Sequence, residues 1–148
     1  MSSKKIKQAI IFCGGRGSRL GKVTEKVPKP LIMINSKPFL FYLIKMLENE
    51  GVEQVILLTG YLSEKFEKFL IKYKKEFNLK IKTSFLDEKY ETYQRIKNIE
   101  NQLLENFYLL YGDNYWDGNF SQHLSLLGDY ELITTAYDTK FHEEGNLK

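Results

Sequence analysis

A single cysteine, Cys13, stands in the whole chain. An intrachain disulfide framework and a thiolate metal cluster are therefore excluded. Histidine is almost as scarce. His123 and His142 lack partners at metal-binding spacing, and His123, on a short helical stretch, reads as a surface or capping residue. No apolar run approaches the roughly 20 residues that span a bilayer. The basic start, Met1-Ser2-Ser3-Lys4-Lys5, leads into an apolar run that ends at Cys13. That run is too short for a signal peptide and fits a first strand instead. An excess of one charge is also missing, since 22 basic residues face 19 acidic ones for a net +3. Such balance gives no whole-chain field that argues for nucleic-acid binding. The lysine-rich stretch from Glu64 to Lys82 spaces its cations around a helical pattern and reads as a solvated helix face. Repeats, low-complexity tracts and linkers are absent. What remains is 148 residues, 43% of them hydrophobic and 14% aromatic, enough for one packed domain over residues 1–148. The expectation is a soluble cytoplasmic protein with no nucleic-acid or membrane partner.

Hydrophobic periodicity alternates between strand and helix. Ala9 to Cys13 is a continuous apolar run, as in a strand buried on both faces. Ser36 is placed to cap a helix with Pro38 in its first turn and Leu40, Leu43, Ile44 and Leu47 at helical spacing, stopped by Gly51. Val55 to Leu58 is a second buried strand, and Ser63 caps a helix to about Glu76 with Phe66, Phe69, Leu70 and Tyr73 inward. Leu79, Ile81, Thr83 and Phe85 alternate with polar residues, as in a half-exposed strand. A helix follows from about Thr92 to Leu104 on Ile96, Ile99 and Leu103, then a buried strand from Phe107 to Tyr111. Phe120 to Leu127 reads as a short helix and Leu132 to Tyr137 as a last strand. This order predicts an α/β fold: a three-layer, Rossmann-like, parallel-rich sheet with helices on both faces. Ligands of such sheets gather at the carboxyl ends of strands. The two most unusual loops, after Phe12 and after Tyr111, both fall there.

The first of them, "FCGGRGSRLGKVTEKVPKPL", carries Gly14, Gly15, Gly17 and Gly21 beside Arg16, Arg19, Lys22, Lys26 and Lys29. A loop that only turned a corner would need one or two glycines and no such charge. Glycines let backbone amides approach an anion with no Cβ in the way. Guanidinium groups bind phosphate oxygens bidentately. A polyphosphate is the natural guest. Two familiar phosphate loops fail, however. A P-loop through Gly21-Lys22 needs glycine at 16 and Ser or Thr at 23, where Arg16 and Val23 stand, and the dinucleotide fingerprint from Gly15 fails at Leu20. After the other strand, an EF-hand loop starting at Asp113 fails at Tyr115 and Leu124.

A different match is specific. "GGRGSRL", the Thr-bearing spacer, "PKP" and then "GDN" in register resemble the signature of the sugar-1-phosphate nucleotidyltransferases, of the nucleotide-diphospho-sugar transferase fold. The likeness is nearest the branch acting on heptose 1-phosphates, the guanylyltransferase-like one. It runs from about residue 8 to 137, and "NSKPFLFYLIKMLENEGVEQVILLTGY" looks like that family's next helix and strand. The resemblance implies that Gly14, Gly15, Gly17 and Ser18 wrap a triphosphate, that Arg19 contacts it, and that Lys29 meets phosphate near the reacting centre. Thr92 would stand for the family's threonine in the nucleotide pocket, and Asp113 would hold Mg²⁺ against the nucleotide phosphates. Pro28 and Pro30 restrict the backbone on both sides of Lys29. The implied partners are an NTP and a phosphorylated small molecule, a sugar 1-phosphate. The implied products are an activated sugar for bacterial surface polysaccharide and pyrophosphate.

Some positions depart from the family's pattern. Arg16 falls at a variable position and reads either as a second phosphate contact or as a solvated side chain; Lys22 stands where proline is common. In place of the family's L-G-T-A/G-G the chain has "YETYQRI", Tyr90 to Ile96. The bulk of Glu91, Tyr93 and Gln94 is expected to obstruct the path of the base or the acceptor. Glu88 is either a sugar-pocket acid or a partner of Lys89, and Trp116 either stacks on a base or packs in the core. Asn114 is expected to shape its turn. Family members continue into further strands that supply a second metal aspartate and much of the acceptor pocket. The expectation is a domain lacking those strands, with Asp138 and Glu143 as replacements by position alone and a sheet edge open to a second copy. Two other readings stay open: a non-catalytic nucleotide-binding or assembly module, and a transferase for another small phosphate such as phosphocholine. The nucleobase is not legible.

Overall fold

The computed structural model describes residues 5–115, apart from the side chains of residues 18–20. The first apolar run forms β1 (Gln8–Phe12). A small hairpin follows, β2 (Met33–Ile34) with β3 (Lys37–Pro38), and leads into α1 (Phe39–Asn49). Then come β4 (Gln54–Thr59), α2 (Ser63–Tyr73), β5 (Lys80–Phe85), α3 (Thr92–Lys97) and β6 (Tyr108–Tyr111). The main sheet has the order β5-β4-β1-β6, and every neighbouring pair is parallel. The chain therefore steps outward from β1 through β4 to β5, then returns to lie on the other side of β1 as β6. Open α/β sheets take their ligands at such a reversal, beyond the carboxyl ends of the strands.

Burial explains why the strands read as continuous apolar runs. Ala9, Ile11, Val55 and Leu57 pack on one face against Leu40, Leu43, Ile44 and Leu47 of α1 and Phe66 and Phe69 of α2. Ile10, Ile56 and Leu58 turn to the other face and meet Ile99, with Ile96 and Leu103 beside them. Two apolar faces on one sheet give the expected three layers.

Several elements differ from the sequence expectation. Ser36 caps no helix. With Asn35, held at φ 56, it forms the two-residue turn of the β2–β3 hairpin, and α1 starts only at Phe39. Asparagine tolerates that left-handed conformation, which tight hairpins need. Ser63 is the first residue of α2 and the cap position belongs to Leu62, whose φ is 53. The same helix ends at Tyr73 and finishes as a 3₁₀ turn, Lys74–Glu76. The long helix expected to reach Leu104 stops at Lys97 and resumes as a 3₁₀ turn, Glu100–Gln102, although Ile96, Ile99 and Leu103 keep their places on the sheet. Strands β5 and β6 lie at the two edges of the described sheet, so Phe85, Leu109 and Tyr111 are exposed where alternation or a buried run suggested otherwise. The helix and strand expected at 120–127 and 132–137 lie outside the described residues.

Gln8 fastens the segment beyond that break to the sheet. It is wholly buried inside β1, and its Nε2 donates to Gln54 Oε1 at 2.7 Å and to the Gln102 carbonyl at 2.8 Å. Its Oε1 accepts from the Leu104 amide at 2.9 Å. The Gln102 carbonyl and the Leu104 amide are thus satisfied by this side chain. Gln8→Leu leaves them unpaired, and the expected cost is about 1–3 kcal/mol. A lower urea midpoint at unchanged slope is the measurement that checks it.

Candidate active site

The tips of β1 and β6 are joined where Gly112 N donates to the Phe12 carbonyl at 2.9 Å. No side chain fits at this junction. A Cβ on Gly112 would lie 2.8 Å from Pro30 Cγ, 3.0 Å from Phe12 O and 3.1 Å from Cys13 Sγ. Glycine here lets the loop bearing Pro30 close onto the strand tip, and Asp113 follows at once. On the facing side, Pro30 and Leu31 are buried anchors of a 3₁₀ turn whose first residue is Lys29. Lys29 Nζ consequently sits 2.6 Å from Asp113 Oδ2, with both side chains more than a third exposed or close to it, at 39% and 34%. A half-exposed ion pair of this kind stabilises little, about 0.2–1 kcal/mol, so incoming charged groups can exchange into it.

The glycine loop is shaped by its own spacer. Gly17 takes φ 62 and opens a 3₁₀ segment over Ser18–Val23. A Cβ there would have a strained backbone and would press on Thr24 Cγ2 at 3.2 Å and Lys29 Cβ at 3.3 Å. Thr24 is buried, and its hydroxyl donates to the carbonyls of Gly17 and Gly21, at 3.0 and 3.1 Å. The threonine of the spacer thus ties the loop back toward Lys29.

Between loop and strand tips lies a cleft of about 300 Å³. Gly14, Gly15, Gly17, Lys29, Thr92 and Asp113, all singled out in the sequence, line it together. Ser18 and Arg19 begin the 3₁₀ segment at the loop's far end, and their side chains lie outside the described ones. Trp116, His123, Asp138, His142 and Glu143 lie outside the described residues altogether. The Asn114 amide donates to the Tyr111 carbonyl at 3.2 Å, closing the turn that carries Asp113.

Three expectations change. Arg16 forms a two-pronged ion pair with Glu88, and its guanidinium lies 5.2 Å from the Tyr61 ring centroid. It is therefore not simply a solvated side chain. Glu88 correspondingly answers Arg16 and not Lys89, whose ammonium lies over Tyr90 at 5.4 Å. The hydrogen bond between them holds the Glu88 carboxyl below its usual range and raises Arg16 above its own. The pair ties the glycine loop to the connection between β5 and α3. The expected obstruction also fails for two of its three residues. Tyr93 is 67% exposed and does not line the cleft, while Gln94 Oε1 accepts from the Glu91 amide at 2.8 Å as half of a capping box. Only one side of a helical turn can face the cleft, and that side is Glu91, Thr92 and Arg95.

Arg95 is the residue that sequence reading missed. It is buried among the strand tips and lines the cleft. Burial pulls its guanidinium below the usual arginine range, and the charge of Asp87 offsets part of that. Cys13 is a neighbour but no nucleophile. Its thiol is buried, and burial followed by the Asp113 charge pushes its pKa far above the ordinary value.

A divalent cation fits what is present. Asp113 offers a hard oxygen donor at the cleft wall, and no group of three His, Cys, Asp or Glu able to hold a metal occurs among the described residues. Magnesium asks for that kind of site, since it commonly takes one or two carboxylates plus substrate phosphates and water.

Parallel sheet, switch-point cleft and glycine loop define a Rossmann-like nucleotide-binding fold. More narrowly, the chain belongs to the nucleotidyl transferase family, whose model matches residues 8–144. It is 37% identical over 116 residues to D-glycero-alpha-D-manno-heptose 1-phosphate guanylyltransferase of Campylobacter jejuni, covering 78% of this chain and 51% of that protein. It is 33% identical over 139 residues to choline-phosphate cytidylyltransferase of Streptococcus pneumoniae, covering 93% of this chain and 55% of that one. The crystal structure of HddC from Yersinia pseudotuberculosis superposes with a TM-score of 0.75 at 30% identity, covering 84% of this chain and 55% of that chain. The same protein complexed with GMP-PN gives the same values. The chain spans about half the length of these relatives. No helix among the described residues is long and apolar enough to cross a membrane.

Proposed function

We propose that this chain transfers a nucleoside monophosphate from an NTP to a sugar 1-phosphate with release of pyrophosphate. The step would serve activated-sugar synthesis for bacterial surface polysaccharide, in the cytoplasm where NTPs are made. The observation that carries this reading is the meeting of Lys29 and Asp113, from two separate loops, on the wall of the glycine-lined cleft. A phosphate tail would need a cation and a metal-holding carboxylate side by side in that way.

In the reaction an oxygen of the acceptor phosphate attacks the α-phosphorus in line. One P–O bond forms as the bond to the bridging oxygen breaks, and its electron pair departs with pyrophosphate. The attacking oxygen is already anionic, so no general base is required. Positioning and charge stabilisation carry the catalysis. Gly14, Gly15, Gly17 and Ser18 would receive the triphosphate, Arg19 the departing pyrophosphate, Lys29 the phosphates at the reacting centre and Thr92 the nucleoside. Asp113 would hold Mg²⁺, which neutralises phosphate charge when bound.

A second reading puts phosphocholine in place of the sugar phosphate. It is favoured by the pneumococcal cytidylyltransferase, whose match extends over 93% of this chain. The deciding experiment incubates the chain with each NTP, Mg²⁺ and a panel of heptose 1-phosphate, glucose 1-phosphate and phosphocholine, and measures pyrophosphate. Release with one sugar phosphate and one nucleotide is expected. Release with phosphocholine alone selects the second reading. Silence throughout, with NTP binding by calorimetry, makes the chain a nucleotide-binding module and overturns both.

A further inference from the structure

The least expected charge in the cleft is Arg95, 7% exposed. From α3 its guanidinium reaches beneath the tips of two strands. Its Nη1 donates to the carbonyls of Thr59, at the end of β4, and Leu86, just past β5, at 2.8 and 2.9 Å. Its Nη2 donates to the Asp87 carbonyl at 2.9 Å. None of these bonds goes to a carboxylate. A buried cation is costly to desolvate, and a brace needed for stability alone would be served as well by apolar packing. What an apolar side chain could not do is hold three carbonyls at fixed separations in one plane. Arginine's rigid fork does this, and lysine's single ammonium on a flexible stem does not.

Two glycines mark where that plane touches the loop. A Cβ on Gly14 would lie 2.8 Å from Arg95 Nη1 and 3.0 Å from its Cζ. A Cβ on Gly60 would lie 3.0 Å from Nη2, 3.0 Å from the Leu86 carbonyl oxygen that Arg95 also binds, and 3.1 Å from Nη1. The Tyr61 amide donates to the Gly14 carbonyl at 3.3 Å, linking both segments. The first glycine of the nucleotide loop therefore rests directly on the guanidinium, while Lys29 and Asp113 are paired with each other.

We propose that Arg95 is a positioning residue that sets the depth of the glycine loop, so that Gly14 and Gly15 present their backbone to a bound nucleotide at the correct height. The inference rests on the nucleotide reading of the cleft. It assigns Arg95 to nucleotide affinity, not to the bond-making step.

The test titrates the full chain, by calorimetry, with each NTP in MgCl₂, and follows steady-state kinetics with the nucleotide that binds. Arg95→Met removes every donor, and Arg95→Lys keeps the charge without the planar fork. Both are expected to weaken nucleotide binding about tenfold, the equivalent of roughly 1.4 kcal/mol, and to raise KM in step. Their kcat is expected to stay within about threefold of wild type, the pattern of lost uniform binding. Gly60→Ala crowds the guanidinium without emptying the core and carries the test if Arg95→Met does not fold. It should cause a similar loss of nucleotide affinity, through the guanidinium and the Leu86 carbonyl that the guanidinium holds, and wild-type affinity in Gly60→Ala overturns the proposal. Variants that melt earlier but bind nucleotide like wild type overturn the proposal and leave Arg95 a core brace. Full affinity in Arg95→Lys beside a loss in Arg95→Met overturns it too, since charge alone would then suffice. Wild-type chain that binds no NTP overturns the nucleotide reading itself, and this proposal with it.

Discussion

Asp113→Ala is expected to lower the rate of nucleotidyl transfer by about three orders of magnitude or more. A bound divalent cation contributes several kcal/mol of charge stabilisation at a phosphoryl centre, and each 1.36 kcal/mol is tenfold in rate. In the proposed reaction Asp113 is the carboxylate that would hold that cation. It follows the tightly packed Gly112, which has no room for a side chain, and it faces Lys29 across 2.6 Å. Asp113→Asn should lose nearly as much, because it keeps the shape and discards the charge. Folding should hardly notice. The side chain is a third exposed and joins a half-exposed pair, and surface changes of this kind stay within about 0.5 kcal/mol. Pyrophosphate release at saturating magnesium, run beside a thermal melt, tests both halves. A variant that keeps more than about a tenth of the wild-type rate would mean that the cation is held elsewhere.

What the sequence made legible, and what it hid, divides along a physical line. The buried strands declared themselves because Ala9 to Phe12 and Val55 to Leu58 must satisfy two apolar faces at once. The glycine loop, the Pro-bracketed Lys29 and Asp113 stood out because they are unusual residues at close spacing, of the kind that the proposed phosphate site would need. The hidden features depend on chain that returns from far away. Arg16 and Glu88 are 72 positions apart and carry no local sign of their pairing. Gln8 and Arg95 were invisible for a further reason. Most of their partners are backbone amides and carbonyls, from Gln102 and Leu104 in one case and Thr59, Leu86 and Asp87 in the other. Every residue supplies such groups, so nothing in the letters marks them. The helix starts failed for the opposite reason. Ser36 and Ser63 are good caps by composition, but the left-handed turns at Asn35 and Leu62 took the backbone elsewhere.

Lys29→Ala should move two measurements in opposite directions. In the free chain the Lys29 ammonium occupies Asp113 Oδ2, so a divalent cation arriving alone must displace it. Removing the lysine frees that oxygen. An exposed pair is worth about 0.2–1 kcal/mol, so affinity for Mn²⁺ without nucleotide should rise by up to about fivefold. A nucleotide changes the balance. Its phosphates can draw the ammonium toward themselves and leave the carboxylate to the metal, so the two ligands favour each other's binding in the wild-type chain. In the variant that coupling should shrink, and the rate should fall by about 10²–10³, the usual loss of one preorganised group that stabilises charge developing in the transition state. Paramagnetic titration of Mn²⁺ with and without nucleotide, set beside pyrophosphate release, reads all of this. General damage to the site would weaken the metal and slow the reaction together. A competitor for the carboxylate that is also a phosphate ligand must do the reverse to the first while slowing the second, and falling Mn²⁺ affinity in Lys29→Ala would overturn that dual role.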